Sequence, residues 1–488
     1  MKMLFHLLLP VLAMLGLSGC LPEERVWWSP QGDRALVLVA GRIHLAGTDG
    51  ELGAPLTDAL RQEDVLVQTV SWLRDGSGFV CQRVRLIPDW EQARALIPME
   101  EVEAVDTVLP AVLPLLEAAV KLAGRAKSVD DLQKALPVTQ PKAFGMALRR
   151  ILHEEPAKVE SLLQTLPHGA EIVAALKKDG VSFALNELCV FKLNANGGGA
   201  GPPVPLVRSL LCPLVLPRVS PQHDALAFAR VAEDTESLTL EVVPLDGRSG
   251  FVVARHAAAA FDWMPDGRDL VFMAPIGGDG EKLHGIHRMT VVREDGTLPD
   301  KEARAEPATL ATAATLNRPA LQALADGRVL FASHAVTLPA VGTGPELEPR
   351  LFIISADGKS VEPVPTAPGD LPTNLAWFTA APDGGHVAVV EGETDAVAVV
   401  EVATGKTQII SPPHPRWQSR TVPAWKSATE LTFAALHEGV PAWMLWSESA
   451  GLRRLSEKWP AAATARWLEQ KSAETGKGPP AAKPATTP

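Results

Sequence analysis

Apolar and polar residues alternate along most of this chain, in short runs separated by tight-turn pairs such as Asp-Gly. The alternation predicts β-strands with one buried face, and the turn pairs predict hairpins because glycine adopts positive φ without a Cβ clash. Six segments share one order: an apolar residue that is often tryptophan, then proline or a substitute, a tight turn, and an alternating strand. These segments begin at Trp28, Trp72, Val219, Trp263, Ala380 and Trp425, with a weaker copy at Ala323.

A second turn follows most of these starts and precedes a short last strand. The second turns are Asp49-Gly50, Asp246-Gly247, Asp295-Gly296, Asp357-Gly358, Thr404-Gly405 and Ala450-Gly451. Each unit therefore supplies four antiparallel strands, which is the content of one propeller blade. Starts 44 or 45 residues apart fit the length of a blade. We predict an all-β, seven-bladed β-propeller; six or eight blades and a β-sandwich with accidental turn spacing are the alternatives.

Two of the units carry the most specific pattern, in residues 28–32 (Trp-Ser-Pro-Gln-Gly) and 263–267 (Trp-Met-Pro-Asp-Gly). The pattern resembles the TolB-like (WD40-like) β-propeller repeat family, and the resemblance extends over most of residues 25–456 outside one insertion. It implies a propeller scaffold that faces the periplasm. TolB itself has a separate N-terminal α/β domain with no counterpart here, so the resemblance implies no role in the Tol system.

An insertion interrupts the second unit. The interval from Trp72 to Val219 is 147 residues long, and from 91 to 180 the apolar period changes from two to near 3.6. We predict four or five short helices there, broken at prolines that include Pro110 and Pro114. The insertion is interpreted as a self-contained spacer, a docking module for a partner, or a lid over the central channel. The predicted division is 1–19 signal peptide, 20–90 blade one and the start of blade two, 91–180 helical insertion, 181–460 rest of the propeller, and 461–488 short helix and disordered tail.

The N-terminus predicts a lipid anchor. The apolar run from Leu4 to Leu17 is too short to span a bilayer and has the length of a signal-peptide core. It ends in a segment that resembles the lipobox of bacterial lipoproteins, formed by Leu17, Ser18, Gly19 and Cys20. The resemblance implies cleavage before Cys20 and acylation of its thiol, which anchors the chain stably. We therefore expect a cell-envelope protein at the periplasmic face of the outer membrane; a secretory signal with a chance cysteine is the alternative.

Three further cysteines are Cys81, Cys189 and Cys212. Cys81 lies in the strand before the insertion and Cys189 in the strand after it, so the two are candidates for a disulfide in an oxidising compartment. A Cys189–Cys212 pair and three buried free thiols are the alternatives.

Charge and motifs add little positive evidence for chemistry. The chain has 46 basic and 57 acidic residues, a net charge of −11, and no basic block interleaved with aromatics, so nucleic acid is an unfavourable partner. The Gly-Lys-Ser at 358–360 and the Gly-Lys-Thr at 405–407 lack the earlier glycine of a phosphate-binding loop, and no Gly-x-Ser-x-Gly motif is present. His284 and His287 lack a third ligand nearby. We assign no catalytic residue, no metal site and no cofactor.

These observations favour a non-enzymatic scaffold that is anchored to the membrane and binds another protein of the cell envelope. A propeller that binds a glycan or another small ligand at its central channel is the second interpretation. The third is a propeller hydrolase or lyase with a site in the channel. A deep polar channel with a converging histidine and two carboxylates would favour the third, and a flat or plugged channel with an apolar face on the insertion would favour the first.

Overall fold

The computed structural model describes residues 25–456. It leaves out 40–41, 57–64, 124–139, 166–169, 172, 175–181, 195, 200, 232–237, 277–282, 300–304, 315–318, 334, 338–349, 367–374, 392–395, 412–421 and 438–439. The predicted signal peptide, the lipobox with Cys20, and the predicted helix and tail at 461–488 lie outside the described residues.

The described strands form seven antiparallel sheets, which confirms the predicted seven-bladed β-propeller. The first three blades are built as follows. Blade one contains β1 (Arg25–Trp28), β2 (Arg34–Val39), β3 (Arg42–Gly47) and β4 (Leu52–Pro55). Blade two contains β5 (Val65–Trp72), β6 (Gly78–Ile87), β7 (Phe183–Lys192) and β8 (Val204–Ser209). Blade three contains β9 (Leu214–Val219), β10 (Ala225–Val231), β11 (Leu238–Pro244) and β12 (Phe251–Ala257).

The last four blades repeat this plan, with one addition. Blade four contains β13 (Phe261–Trp263), β14 (Asp269–Pro275), β15 (Leu283–Thr290) and β16 (Ala308–Ala314); blade five contains β17 (Leu321–Ala323), β18 (Val329–Ser333), β20 (Arg350–Ile354) and β21 (Val361–Pro363); blade six contains β22 (Leu375–Ala380), β23 (His386–Glu391), β24 (Val397–Glu401) and β25 (Thr407–Ser411); blade seven contains β26 (Ala424–Trp425), β27 (Glu430–His437), β28 (Val440–Ser447) and β29 (Gly451–Ser456). The addition is β19 (Ala335–Thr337), which leaves blade five and pairs with the outer edge of blade four at β16.

Helices lie between the second and third strands of blade two. They are α1 (Trp90–Arg94), α2 (Met99–Ala123), α3 (Pro141–Glu154) and α4 (Pro156–Leu163). The prediction that Pro110 and Pro114 break a helix was wrong, because α2 runs through both. The two prolines are four residues apart on the exposed side of α2, where water can hydrate the carbonyls that lose a helical donor.

One hydrogen bond recurs where the repeat motif of a blade begins with tryptophan, which we call the motif tryptophan. It joins that blade to the preceding blade. The indole nitrogen donates to the carbonyl of the residue that precedes the motif position in the preceding blade. Trp72 donates in this way to Trp27, Trp263 to Arg218, and Trp425 to Thr379, each at 2.8 Å. The motif tryptophan therefore fixes the spacing of neighbouring innermost strands as well as filling the core between them.

Blades three, five and six have no motif tryptophan, and there the donor still lies on the later blade but the side chain of the contact comes from the preceding blade. The backbone N–H of the motif residue donates to a side chain at the preceding position of the neighbouring blade. Val219 donates to Ser71 at 3.0 Å, Ala323 to Asp262 at 3.1 Å, and Ala380 to Gln322 at 2.8 Å. Each of these blade seams therefore keeps one hydrogen bond in place of the indole contact.

The seventh seam closes the ring without sharing a strand, since β1 pairs within blade one and β26 within blade seven. Trp28 of blade one donates to the hydroxyl of Thr432 at 2.9 Å, and that hydroxyl donates to the carbonyl of Ala424 at 2.9 Å. Ala424 precedes the motif residue Trp425, so its carbonyl holds the position that accepts directly from an indole at other seams. Here the hydroxyl of Thr432 lies between the indole and that carbonyl and bonds to both. Gly32 comes so close to Lys426 that a Cβ there would lie 2.3 Å from the carbonyl oxygen.

We predict that Thr432→Val destabilises the fold by about 1–3 kcal/mol, because a valine of the same shape removes the hydroxyl that joins blades seven and one. Thr432 is fully buried, so water does not replace the lost group. Thr432→Ser keeps the hydroxyl and is the matched control. Urea unfolding of the two variants measures the difference, and equal midpoints for both would contradict the role assigned to the hydroxyl.

Candidate functional site

The helical insertion is held on the propeller by a carboxylate whose side chain is 12% exposed. Glu101 of α2 accepts the hydroxyl of Ser209 at 2.5 Å and the backbone N–H groups of Leu210 and Leu211 at 2.8 and 3.2 Å. These three residues lie at the end of blade two, where the chain turns toward β9. Arg230 of blade three approaches the same carboxylate at 3.8 Å. Glu101 therefore holds the first turns of α2 at the seam between blades two and three.

A second polar tie comes from α3. Lys142 is buried, 3% exposed, and donates to the carbonyl of Val231 in blade three at 2.8 Å. An apolar cluster also packs the helices against Phe183 at the start of β7 and against the buried leucines that follow β8. Trp90 packs on Phe183 with ring centroids 5.7 Å apart. Apolar burial and two polar ties together fix how the insertion sits on blades two and three.

The outward side of α2 is acidic. Glu100, Glu103 and Glu117 are exposed on it, and Asp106 is exposed but pairs with Arg150 of α3 at 2.6 Å. The opposite side carries the buried residues of the helix, among them Val102, Val105 and Val112. The insertion therefore presents a mainly negatively charged face, which also carries the exposed Lys121 one turn after Glu117. This face differs from the apolar face expected of a docking insertion, and we call it the acidic face of α2.

The structure also contains a cavity of about 1080 Å³ among turns of blades two, three and four. Cationic and anionic side chains both line it, Arg74 and Lys192 from blade two, Arg248 from blade three, and Asp75, Asp224 and Asp246 beside them. Arg248 bonds Asp246 at 2.7 Å, and Arg74 lies 3.9 Å from Asp224. Because only three blades line this cavity, it differs from the central channel, where the sequence placed a small-ligand site.

The described parts of the innermost strands carry few ionisable side chains. Within the described parts of these seven strands the single carboxylate is Asp262, and histidine is absent. Burial raises the pKa of Asp262, against the opposing effects of Arg218 and of the backbone N–H groups of Ala323 and Trp263. Both oxygens of Asp262 accept these backbone donors. Asp262 therefore acts in holding blades four and five together.

The motifs that the sequence analysis set aside lie at ordinary structural positions. Gly358 and Gly405 have φ of +72° in the turns that precede the last strands of blades five and six, which confirms them as turn glycines. His287 lies on β15, 5.4 Å from the ring of Phe272, and burial lowers its pKa. Among the described residues no group of three His, Cys, Asp or Glu side chains is arranged to hold a metal ion.

Cys81 and Cys189 lie directly opposite each other on β6 and β7, both buried, and their thiols are free in this structure. A hydrogen bond with Cys189 lowers the pKa of Cys81, and the same contact raises the pKa of Cys189. Opposite residues of an antiparallel pair have Cα atoms about 4.5–5.5 Å apart, within the range that a disulfide bridges. Cys212 packs instead against the insertion cluster.

Sequence reasoning missed Glu101, Lys142 and the buried charges of blade two. One signal was readable: Arg83 and Arg85 continue the strand face that begins with Phe79 and Cys81, where apolar residues are expected. The residues that pair with these arginines could not be predicted from the sequence, because the pairing residues lie about 100 positions away in the chain. Within the described part of the chain, no helix has both the length and the hydrophobicity needed to cross a membrane.

No protein-family model and no curated protein matches this chain. Many solved structures do match. TolB from Acinetobacter baumannii is 16% identical, covering 55% of this chain and 58% of its own, with a TM-score of 0.35. The propeller domain of Myceliophteria thermophila Cps50 (Swd1) is 11% identical, covering 87% and 96%, at 0.43. Prolyl oligopeptidase B from Galerina marginata is 9% identical, covering 91% and 52%, at 0.47.

This chain therefore spans less than two thirds of the matched TolB and of the oligopeptidase. The identities are below 25% and the TM-scores below 0.5, so these matches carry no argument about this chain; an oligogalacturonate lyase, at a TM-score of 0.36, is also among them. A propeller fold is shared by binding proteins and enzymes, so fold does not decide between them. The seven-bladed architecture itself follows from the strand pairing of this chain.

We predict that Cys81 and Cys189 form a disulfide when the protein is made in an oxidising compartment. Intact-mass analysis without reductant is expected to show the loss of two hydrogen atoms, and alkylation after denaturation is expected to label Cys212 alone among these three cysteines. Three alkylated thiols would contradict the prediction, and a Cys189–Cys212 pair would appear in peptide mapping.

We predict that Glu101→Ala loosens the insertion from blades two and three, because three donors lose a charged acceptor. Hydrogen exchange at the amides of Leu210 and Leu211 is expected to accelerate about 10- to 100-fold, while blades five to seven stay unchanged. Glu103→Ala, two residues away on the exposed side, is the matched control. Equal exchange in the two variants would show that apolar packing alone holds the insertion.

Proposed function

We propose that this protein is a non-enzymatic β-propeller scaffold of the bacterial cell envelope, anchored by lipid at Cys20, which binds a protein partner through its helical insertion. The observation that supports this most directly is the fixed seat of the insertion on blades two and three, through Glu101 and Lys142. A spacer needs no defined orientation. A docking module does, because a preorganised surface loses less conformational entropy on binding.

The chemistry of the insertion indicates what kind of partner it fits. The acidic face of α2 carries the exposed carboxylates of Glu100, Glu103 and Glu117. Because complementary charge steers association and selects partners, this face favours a partner with a basic surface. Such an interface weakens as salt is added, since the Debye length shortens.

The cavity between blades two, three and four supports a second candidate function, the binding of a polar ligand such as a glycan. Its volume of about 1080 Å³ lies slightly above the usual range for small-molecule sites, about 300–1,000 Å³. Arg74, Lys192 and Asp224 supply donors and acceptors on its wall. The cavity and the acidic face of α2 lie on different elements, so separate probes can distinguish them.

In-cell photocrosslinking tests the proposal without deleting the insertion. A photoreactive residue is placed at Glu103 or Glu117 on the acidic face of α2, at Thr297 on the wall of the cavity, or at Leu452, which is 45% exposed on β29. We expect one protein to be captured from the first two positions and not from Leu452. Capture should fall as salt is raised before irradiation.

Two outcomes would favour the alternatives. Capture of the same protein from Thr297 alone would place the partner at the cavity and leave the insertion a spacer. Crosslinking to glycan from Thr297, with no protein from α2, would favour the second candidate function.

The anchor is tested in the same cells with a fatty-acid probe, which is expected to label the chain and not its Cys20→Ser variant.

A further inference from the structure

Blade two contains a buried carboxylate surrounded by three arginines. Glu187 of β7 is fully buried. Arg83 of β6 lies 2.8 Å from its Oε2, while Arg85 of β6 and Arg208 of β8 lie 3.3 and 3.1 Å from its Oε1. We call these four residues the arginine cluster. It lies between the pair of cysteines and the apolar cluster under the insertion, on one face of the blade.

The charges of the arginine cluster do not cancel. Three guanidinium groups surround one carboxylate, which leaves two positive charges in a site that is mostly withdrawn from water. Among the described residues no second carboxylate lies within ion-pairing distance of Arg83, Arg85 or Arg208. Excess buried charge of one sign is costly unless a counter-ion accompanies it.

Two hydrogen-bond donors of the arginine cluster also have no acceptor. The Nε atoms of Arg83 and Arg85 are buried and have no acceptor in this structure, and Oε2 of Glu187 is buried without a hydrogen bond although a nitrogen of Arg83 lies 2.8 Å away. The side chain of Arg83 is only 8% exposed, so water does not readily serve it. Buried polar atoms without partners are uncommon in native proteins and call for a physical explanation.

The cluster is open on one side. The side chains of Arg85 and Arg208 are 23% and 30% exposed, whereas Glu187 and Arg83 form the base. Both exposed arginines reach the same oxygen of Glu187, so their guanidinium groups converge although they come from strands on either side of β7. Convergent guanidinium groups are the usual way in which proteins hold phosphate, through short charge-assisted hydrogen bonds.

We propose that the arginine cluster is a binding site for a phosphate group, held by Arg85 and Arg208 over the base formed by Glu187 and Arg83. A phosphate dianion carries the two negative charges that neutralise the site. The group is either free inorganic phosphate or a phosphate monoester on a larger molecule. The site is independent of the scaffold proposal, because it shares no residue with the acidic face of α2 or with the cavity.

Calorimetric titration of the whole protein with sodium phosphate tests the proposal, at constant ionic strength against chloride. We expect saturable binding of one phosphate per chain and a higher melting temperature in phosphate than in chloride. Arg85→Gln and Arg208→Gln are each expected to weaken binding by about tenfold or more. Arg94→Gln, an exposed arginine of α1 that pairs with Glu91, is the matched control and should bind like the parent protein.

Glycerol phosphate, titrated in parallel, distinguishes the two sources of the group. Binding of inorganic phosphate indicates a free ion, and binding of the monoester alone indicates a phosphate carried by a larger molecule; both support the site. No binding of either probe would overturn the proposal, as would equal affinity in Arg85→Gln, Arg208→Gln and Arg94→Gln. Circular dichroism melts in chloride show whether each variant is folded, and Arg85→Lys, which keeps the charge, is expected to retain part of the affinity.

Discussion

Closure of the ring is the constraint on which the rest of this propeller depends. Within residues 25–456 as described, the first and last blades share no strand, so the contacts seen at the seam between them come from side chains. Trp28, Thr432 and the carbonyl of Ala424 form a buried chain of hydrogen bonds there, and Lys426 lies over the indole at 5.7 Å. Each of the other six seams has a hydrogen bond at the same level of the innermost strand, and the contacts of the seventh seam repeat this arrangement.

Blade two concentrates the chemistry of the molecule. Along one face of β6 and β7 lie the pair of cysteines, then the arginine cluster, then the apolar base of the insertion. The long strands of this blade reach beyond the core and give the helices a surface to pack on. The arginine cluster therefore lies between the core shared with blade one and the apolar cluster under the insertion.

The insertion and the cavity represent two ways in which a propeller gains a binding surface. The insertion adds a new element, tied down by Glu101 and Lys142, whose outer face is free of the constraints of the sheet. The cavity arises where turns of three neighbouring blades leave space between them. Both lie on connections between strands, where residues can vary without disturbing the core of the blades.

The sequence by itself determined the blade repeat, the position of the insertion and the turn glycines, because the period of apolar residues and the chemistry of a tight turn are local properties. It misjudged Pro110 and Pro114, since continuation of α2 depends on packing against α3 and on solvent at the exposed side. The partners of Glu187, Glu101 and Trp28 were decided only by the tertiary structure. Those contacts join residues up to 404 positions apart, and no local pattern records which distant strands the ring will bring together.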